Sequence, residues 1–280
     1  MKNKFPKSDP LPETQFAIDA AIEAGKSVME VYDGKFLSSL KNDNELITEA
    51  DIKSNTIIQK IISESNYPIL SEETTDNKER LNHKKIWIVD PLDGTTDFVN
   101  RTGEFTIMIG LVENNKPILG VIYWPTEKKL FLGQKGQGAF KFYNGNWTKI
   151  SVSDISELEK CRVVGSRYHI SDKERNLLTS LKISKFTSKG SSLKVTDVSS
   201  GNAELYFTTT NKIKQWDTCA SYCLVTEAGG KMTDMFGNDL EYNTEKLNHE
   251  NGLLVSNGLI HNQIINIYRE TMVKYDQKKS

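Results

Sequence analysis

A chain of 280 residues is long enough for one large domain or two closely packed halves around a substantial core. Apolar residues make up 37% and charged residues 26%, yet the formal net charge is only -1, so the totals single out neither a nucleic-acid polymer nor a membrane surface as a partner. The longest apolar stretches, such as 107–112, are too short to cross a bilayer, residues 1–13 lack the apolar segment of a signal peptide, and three cysteines are too few for a disulfide framework. The expectation is a soluble protein of the reducing cytoplasm.

Residues 13–32 place Phe16, Ala17, Ala20, Ala21, Ala24, Val28 and Val31 at three- and four-residue steps, which predicts an amphipathic helix. A second helix follows, with Ile52, Ile57, Ile58, Ile61 and Ile62 as its inner stripe and Tyr67-Pro68 just beyond its end. Ile69-Leu70 and residues 86–89 read as strands, each ending abruptly in acidic residues. Residues 106–112 and 117–123 are two more strands joined by a turn at Glu113-Asn114-Asn115-Lys116, and 133–142 continues the antiparallel pattern. Residues 1–150 thus read as an α+β half. Over 151–280 strands and helices alternate: a strand at 162–165, a helix from Ser171, a strand at 204–207, a helix over 217–228, a strand at 252–256 and a last helix, an α/β half. No repeat or hinge-like linker separates the halves, so they are expected to share one interface. Cys219 and Cys223 stand four apart on a predicted helix, but with no second pair and no nearby histidine they read as packing residues and not as zinc ligands.

The stretch from Trp87 to Phe98 concentrates the chemistry. An apolar strand delivers Asp90 at its tip, Pro91 interrupts ladder pairing, and Gly94 permits a tight turn that brings Asp93 back beside Asp90. Two carboxylates in so small a space resist joint ionisation unless a cation sits between them, and hard oxygen ligands suit Mg²⁺ or Mn²⁺. A solvated Asp-Gly turn is the plainer alternative. Ser71-Glu72-Glu73 also follows a strand, Asp51 opens a helix, and Asp217 precedes an apolar helix where it could equally serve only as a cap. Four acidic positions at element ends are improbable as independent surface decoration.

Asp90-Pro-Leu-Asp93-Gly-Thr95, Ser71-Glu72-Glu73, and Trp216-Asp217 followed by Ala228-Gly229-Gly230 resemble the inositol monophosphatase superfamily of lithium-sensitive, Mg²⁺-dependent phosphatases, from Asp51 to Gly258. That resemblance implies a five-layered αβαβα sandwich of α+β class with a metal site where the halves meet. It assigns Glu72, Asp90 and the carbonyl of Leu92 to one metal, and Asp90, Asp93 and Asp217 to a second. It also casts Thr95, paired with Asp51, as the group that orients the attacking water, with Glu72 near a third, weaker metal. Two or three Mg²⁺ are implied per site. The backbone N–H groups of Gly94, Thr95 and Thr96 would form an anion site for phosphate. A phosphatase that uses the first Asp of an Asp-x-Asp-Gly-Thr run as nucleophile is excluded by spacing, since two residues separate Asp90 from Asp93.

Residues 101–106, Ser166-Arg-Tyr-His169 and Gly190-Ser-Ser192-Leu-Lys194 are similar to those of 3'(2'),5'-bisphosphate nucleotidases within that superfamily. The similarity implies removal of the 3'-phosphate from adenosine 3',5'-bisphosphate, with Ser166, His169, Ser192 and Lys194 holding the nucleotide and its non-reacting phosphate. In isolation, His169 reads more readily as a helix-approach or core histidine, and 190–192 could be only a loop and helix cap. One departure stands out: where the subgroup carries an arginine, this chain reads Phe207-Thr208-Thr209-Thr210-Asn211, with Lys212 or Lys214 as candidate substitutes. An inositol or sugar phosphate, such as fructose 1,6-bisphosphate, therefore stands as the alternative substrate, and a non-catalytic phosphate-binding relative as the alternative to an enzyme. A homodimer is compatible with either.

Overall fold

Proline at the first position of helix α1 (Pro12–Asp33) suits a helix start, where its missing N–H has no partner to lose, and the alanines of its inner face let a second helix approach closely. The structure, a computed structural model, describes residues 4–7, 10–41, 45–168 and 170–277. A short antiparallel hairpin, β1 (Ser38–Leu40) and β2 (Leu46–Thr48), leads into α2 (Glu49–Ile62), which packs along α1. β3 (Ile69–Ser71) and β4 (Lys85–Asp93) pair in parallel. After the five-residue helix α3 (Thr95–Val99), strands β5 (Thr106–Glu113), β6 (Lys116–Trp124), β7 (Lys129–Gln134), β8 (Gly138–Tyr143) and β9 (Asn146–Ile150) extend this sheet antiparallel in sequence order.

The remaining elements are β10 (Arg162–Ser166), α4 (Asp172–Leu181), β11 (Lys185–Lys189), α5 (Leu193–Ser199), β12 (Leu205–Thr208), α6 (Gln215–Glu227), β13 (Lys231–Thr233), β14 (Leu253–Ser256) and α7 (His261–Gln277). Their strands form a mixed five-stranded sheet ordered β11-β10-β12-β14-β13. Helices α1 and α2 cover one face of the seven-stranded sheet, α5 and α6 fill the space between the sheets, and α4 and α7 cover the far face of the second sheet. This is the expected α+β, αβαβα sandwich. Sequence reading gave no helix over Leu193–Ser199, which is only seven residues long, and no strand at Lys185–Lys189, an exposed edge without apolar alternation.

One contact decides how the two sheets sit together. Gly110, Gly120 and Gly133 are register partners across β5, β6 and β7, and α6 lies directly on the bare backbone they leave. A Cβ on Gly120 would stand 2.2 Å from the Ala220 carbonyl oxygen, one on Gly110 2.4 Å from Cys219 Sγ, and one on Gly133 2.6 Å from Leu224 Cα. Cys219 and Cys223 are buried on this face, with the Cys223 thiol donating to the Gly133 carbonyl, which accounts for them as packing residues. Gly120→Ala is expected to destabilise by on the order of 1–3 kcal/mol and lower Tm by several degrees, because a helix backbone must move. Gly34→Ala, whose Cβ would come no closer than 3.4 Å to Glu30 O, should melt close to wild type. Equal melting of the two variants would rule out the close helix–sheet contact.

Candidate active site

The acidic residues meet where β4 breaks off. The β4–β5 ladder is irregular between Asp90 and Asp93, and Gly94 turns the chain at φ +91°, a conformation that favours glycine, to start α3. Ser54 on α2 fixes this turn by donating to the Pro91 carbonyl at 2.6 Å. Asp51, also on α2, accepts the Thr48 amide and hydroxyl on Oδ2, both at 2.7 Å, and the Thr95 hydroxyl on Oδ1 at 3.1 Å. Asp217 reaches the same place from the first turn of α6, where its Oδ2 accepts the Lys214 amide at 2.7 Å.

Together these elements line a cleft of about 1280 Å³. Glu72, Asp90, Leu92, Asp93, Thr95 and Asp217 all contribute to its wall, as do Gly94 and Thr96. Asp51 is buried behind Thr95 and acts on the cleft through that hydroxyl. Burial drives the carboxyl of Asp90 well above the ordinary carboxylate range, and the nearby charges of Glu72, Asp93 and Asp217 push it further. Asp217 is raised in the same way, by burial and then by Asp93 and Glu72. Burial also lifts Glu72, to about 7, against the pull of Lys41.

Lys41 is the cation that sequence reading missed. Its ammonium lies 2.6 Å from Glu72 and 2.5 Å from Glu73, and these charges hold its pKa up although burial would lower it. Among the described residues no ion pair reaches Asp90, Asp93 or Asp217. No described group of three or more His, Cys, Asp or Glu side chains is drawn in tightly enough to form a metal centre as it stands. The charges of Glu72, Asp93 and Asp217 nevertheless help raise the carboxyl of Asp90, those of Asp93 and Glu72 that of Asp217, and the excess of negative charge on hard oxygens fits a divalent cation such as Mg²⁺.

The residues expected to hold the rest of a nucleotide lie elsewhere. Lys194 is buried outside the cleft wall, its ammonium 2.5 Å from the Ser191 carbonyl oxygen and 5.3 Å from the Tyr206 ring centre. The Ser192 hydroxyl likewise meets Thr106 at 2.7 Å and does not face the cleft. Ser166 ends β10 and borders a separate small space with Phe186 and Glu174. His169 lies outside the described residues. In their place the cleft presents Tyr168, Lys173, Lys212 and Lys214. Tyr168 lies within the Ser166-to-His169 string but was given no role there, and no pattern announced Lys173, on the exposed first turn of α4.

The sequence model of the Inositol monophosphatase family matches residues 9–272. The 3'(2'),5'-bisphosphate nucleotidases CysQ of Salmonella typhimurium and Escherichia coli K12 are each 38% identical to this chain over 229 residues, covering 79% of it and 90% of either relative. Among solved structures, CysQ from Bacteroides thetaiotaomicron is 30% identical with a TM-score of 0.76, over 88% of this chain and 97% of that one. The Thermotoga maritima IMPase is 26% identical with a TM-score of 0.80, over 94% and 99%. Motif, fold and sequence agree over nearly the whole length, and the chain belongs to the inositol monophosphatase family.

Proposed function

We propose that the protein is a Mg²⁺-dependent phosphomonoesterase that removes the 3'-phosphate of a nucleoside 3',5'-bisphosphate, as the name of its CysQ relatives indicates for them. The observation that carries this is the division of charge in one cleft: clustered acids where β4, α3 and α6 meet, and Lys173, Lys212 and Lys214 elsewhere on its wall. A substrate with two phosphates matches that division. Glu72, Asp90 and the Leu92 carbonyl would hold one cation, and Asp90, Asp93 and Asp217 another. Bound Mg²⁺ would supply a lowered pKa for water and neutralisation of the ester oxygens.

The chain's own groups then orient the attack. With Asp51 ionised, the single proton of the Thr95 hydroxyl is donated to Asp51, which leaves the Thr95 oxygen to accept a proton from water and aim it at phosphorus. The water oxygen forms the new P–O bond as the ester P–O bond breaks; the water's proton passes to the Thr95 oxygen while Thr95 passes its own to Asp51, and the departing nucleoside oxygen takes up a proton from solvent. Lys212 makes no ion pair with a described residue, and Lys214 is held by Asn248 at 2.9 Å, so both are available to the distal phosphate. As point charges they replace the two-pronged contact of an arginine. Tyr168, exposed on the cleft, offers a ring face to the base.

A Mg²⁺-dependent phosphate-release panel tests the assignment. Adenosine 3',5'-bisphosphate should be hydrolysed faster than inositol 1-phosphate or fructose 1,6-bisphosphate. Lys173→Ala and Lys212→Ala should each raise KM for the nucleotide about three- to tenfold and leave inositol 1-phosphate unchanged, since a small monophosphate never reaches that wall. Preference for inositol 1-phosphate would replace the nucleotide by the monophosphate as substrate.

Thr95→Ala should lower kcat at least about a hundredfold with little change in Tm, because only the proton path is cut and the cap that Asp51 provides to α2 survives. Steady-state kinetics beside a melting curve checks it; a variant within threefold of wild type would free Thr95 from any part in the step.

Stability should report the same charge excess. With the carboxyls of Glu72, Asp90 and Asp217 raised, the metal-free fold binds more protons than the unfolded chain above the ordinary carboxylate range of about 4, so its stability falls as pH rises. His249 and His261, lowered to about 4 by burial, are still about half protonated in the unfolded chain near pH 6.5 and oppose this trend until about pH 7.5, above which they are neutral in both states. In EDTA, Tm should therefore drop between about pH 7.5 and 8.5, and Mg²⁺ should raise Tm more at the upper end of that range. A Mg²⁺ shift independent of pH would mean that the cation binds away from these carboxylates.

A further inference from the structure

The loop between β11 and α5 is tied to Asp93 by an arrangement that the phosphatase mechanism does not use. Ser191 Oγ donates to Asp93 Oδ2 at 2.6 Å, and the Ser192 amide donates to the same oxygen at 2.5 Å. Thr106, the ladder partner of Asp93 on β5, places its Oγ1 2.7 Å from both serine hydroxyls. Counting protons fixes the direction of the chain. Ser191 spends its single hydroxyl proton on Asp93, so Thr106 donates to Ser191, and Ser192 donates to Thr106. Three hydroxyls thus point one way, each polarising the next. The network is buried: Thr106 is 0% exposed, Ser192 5% and Ser191 9%.

Ser191 holds this place in a backbone conformation that serine seldom adopts, φ +54°. Such a conformation persists where surrounding contacts impose it, and they are present on both sides. Lys194 donates to the Ser191 carbonyl at 2.5 Å. Gly190 donates its amide to Glu104 at 2.8 Å and has no room for a side chain, since a Cβ would lie 2.3 Å from Asp97 Oδ2. The loop is therefore clamped on one side by a buried ammonium and on the other by direct contact with α3.

We propose that Ser191 is a positioning residue for Asp93. It occupies Oδ2 and so presents Oδ1 to the divalent cation, while Lys194 serves to hold the loop in shape. The inference rests on Asp93 being a cation ligand, as proposed above, and goes beyond it by naming the groups that set the affinity of that site.

Mn²⁺ binding, measured directly by the loss of free-ion electron spin resonance signal, separates this role from general packing. Ser191→Ala should weaken Mn²⁺ binding about tenfold or more, the effect typical of removing a group that orients a metal ligand. Thr106→Val, which keeps the shape and breaks the hydroxyl chain, should weaken it in the same direction by less, and it carries the test if Ser191→Ala folds poorly. Saturating Mn²⁺ should restore kcat in both variants with KM for the ester unchanged. If Asp93→Asn loses Mn²⁺ while both variants bind within about twofold of wild type, Ser191 is not a positioning residue. A KM that stays raised at saturating metal would instead place Ser191 against the substrate and overturn the proposal. Undiminished binding by Asp93→Asn would remove the metal assignment itself, and this inference with it.

Discussion

The separation between α6 and the seven-stranded sheet is the constraint on which the acidic cleft depends. Asp217 is the one acidic group of the cluster that does not come from the first 93 residues, and it rides on the first turn of a helix seated on Gly110, Gly120 and Gly133. Any side chain at those three positions would lift the helix by the depth of a methyl group or more. An interior is close-packed, so the displacement could not be absorbed locally and would move Asp217 away from Asp90 and Asp93. The glycines thus cost strand propensity in the centre of a sheet and supply in return a fixed distance between two halves of a charged site.

A second regularity runs through the cluster. Each carboxylate has one oxygen engaged by the protein: Asp51 Oδ2 by Thr48, Asp90 Oδ1 by the Leu92 amide, Asp93 Oδ2 by Ser191 and Ser192, and Asp217 Oδ2 by the Lys214 amide. Single engagement fixes the rotamer and leaves the second oxygen for another partner, which for Asp51 is Thr95. One of these bonds also closes a capping box, at the start of α2, and another satisfies the amide that precedes α6. The same side chains that nucleate the helices therefore aim the charges, and a substitution at Asp51 or Asp217 would disturb folding and chemistry together. Glu72 is the exception, since it has a side-chain ammonium as its partner and lies next to a second glutamate on the same lysine.

Local sequence made the chemistry legible because each acidic group sits at the end of an element with its own signature. Asp90 ends an apolar strand, Asp93-Gly94 forms a turn that demands a left-handed residue, and Asp51 and Asp217 stand at helix starts. The layered αβαβα order followed from resemblance and is matched by the sheets and helices seen. What stayed hidden depends on register and on burial. Three glycines spaced 10 and 13 residues apart become neighbours only once β5, β6 and β7 are paired. Thr106 meets Asp93 across a ladder, and neither residue advertises the other. Lys194 was expected to touch substrate because its Gly190-to-Lys194 segment resembles that of the bisphosphate nucleotidases, and nothing in the local sequence shows that its stem is buried against Tyr206 and its ammonium bonded to backbone carbonyls.

That contrast between the two sides of the cleft has a physical origin. Charges that hold cations must be placed to a fraction of an ångström, so they sit on strand ends and helix caps, where backbone geometry is determined by short stretches of sequence. Groups that recognise the remainder of a substrate need only reach it, and a flexible lysine on a loop or first helical turn does so from many backbone positions. Lys173, Lys212 and Lys214 therefore arise from two segments with no shared motif, and their joint presence on the cleft is visible only when α4 and the loop before α6 are brought side by side. An arginine at one fixed position imposes a planar, two-pronged geometry on a phosphate; several point charges impose a potential without a unique pose. On the proposed assignment, exchange of the first for the second would preserve attraction to a second phosphate while relaxing its orientation, so discrimination between nucleotide bisphosphates and other doubly phosphorylated esters should come to depend on the fit of the base against Tyr168 more than on the phosphate contact itself.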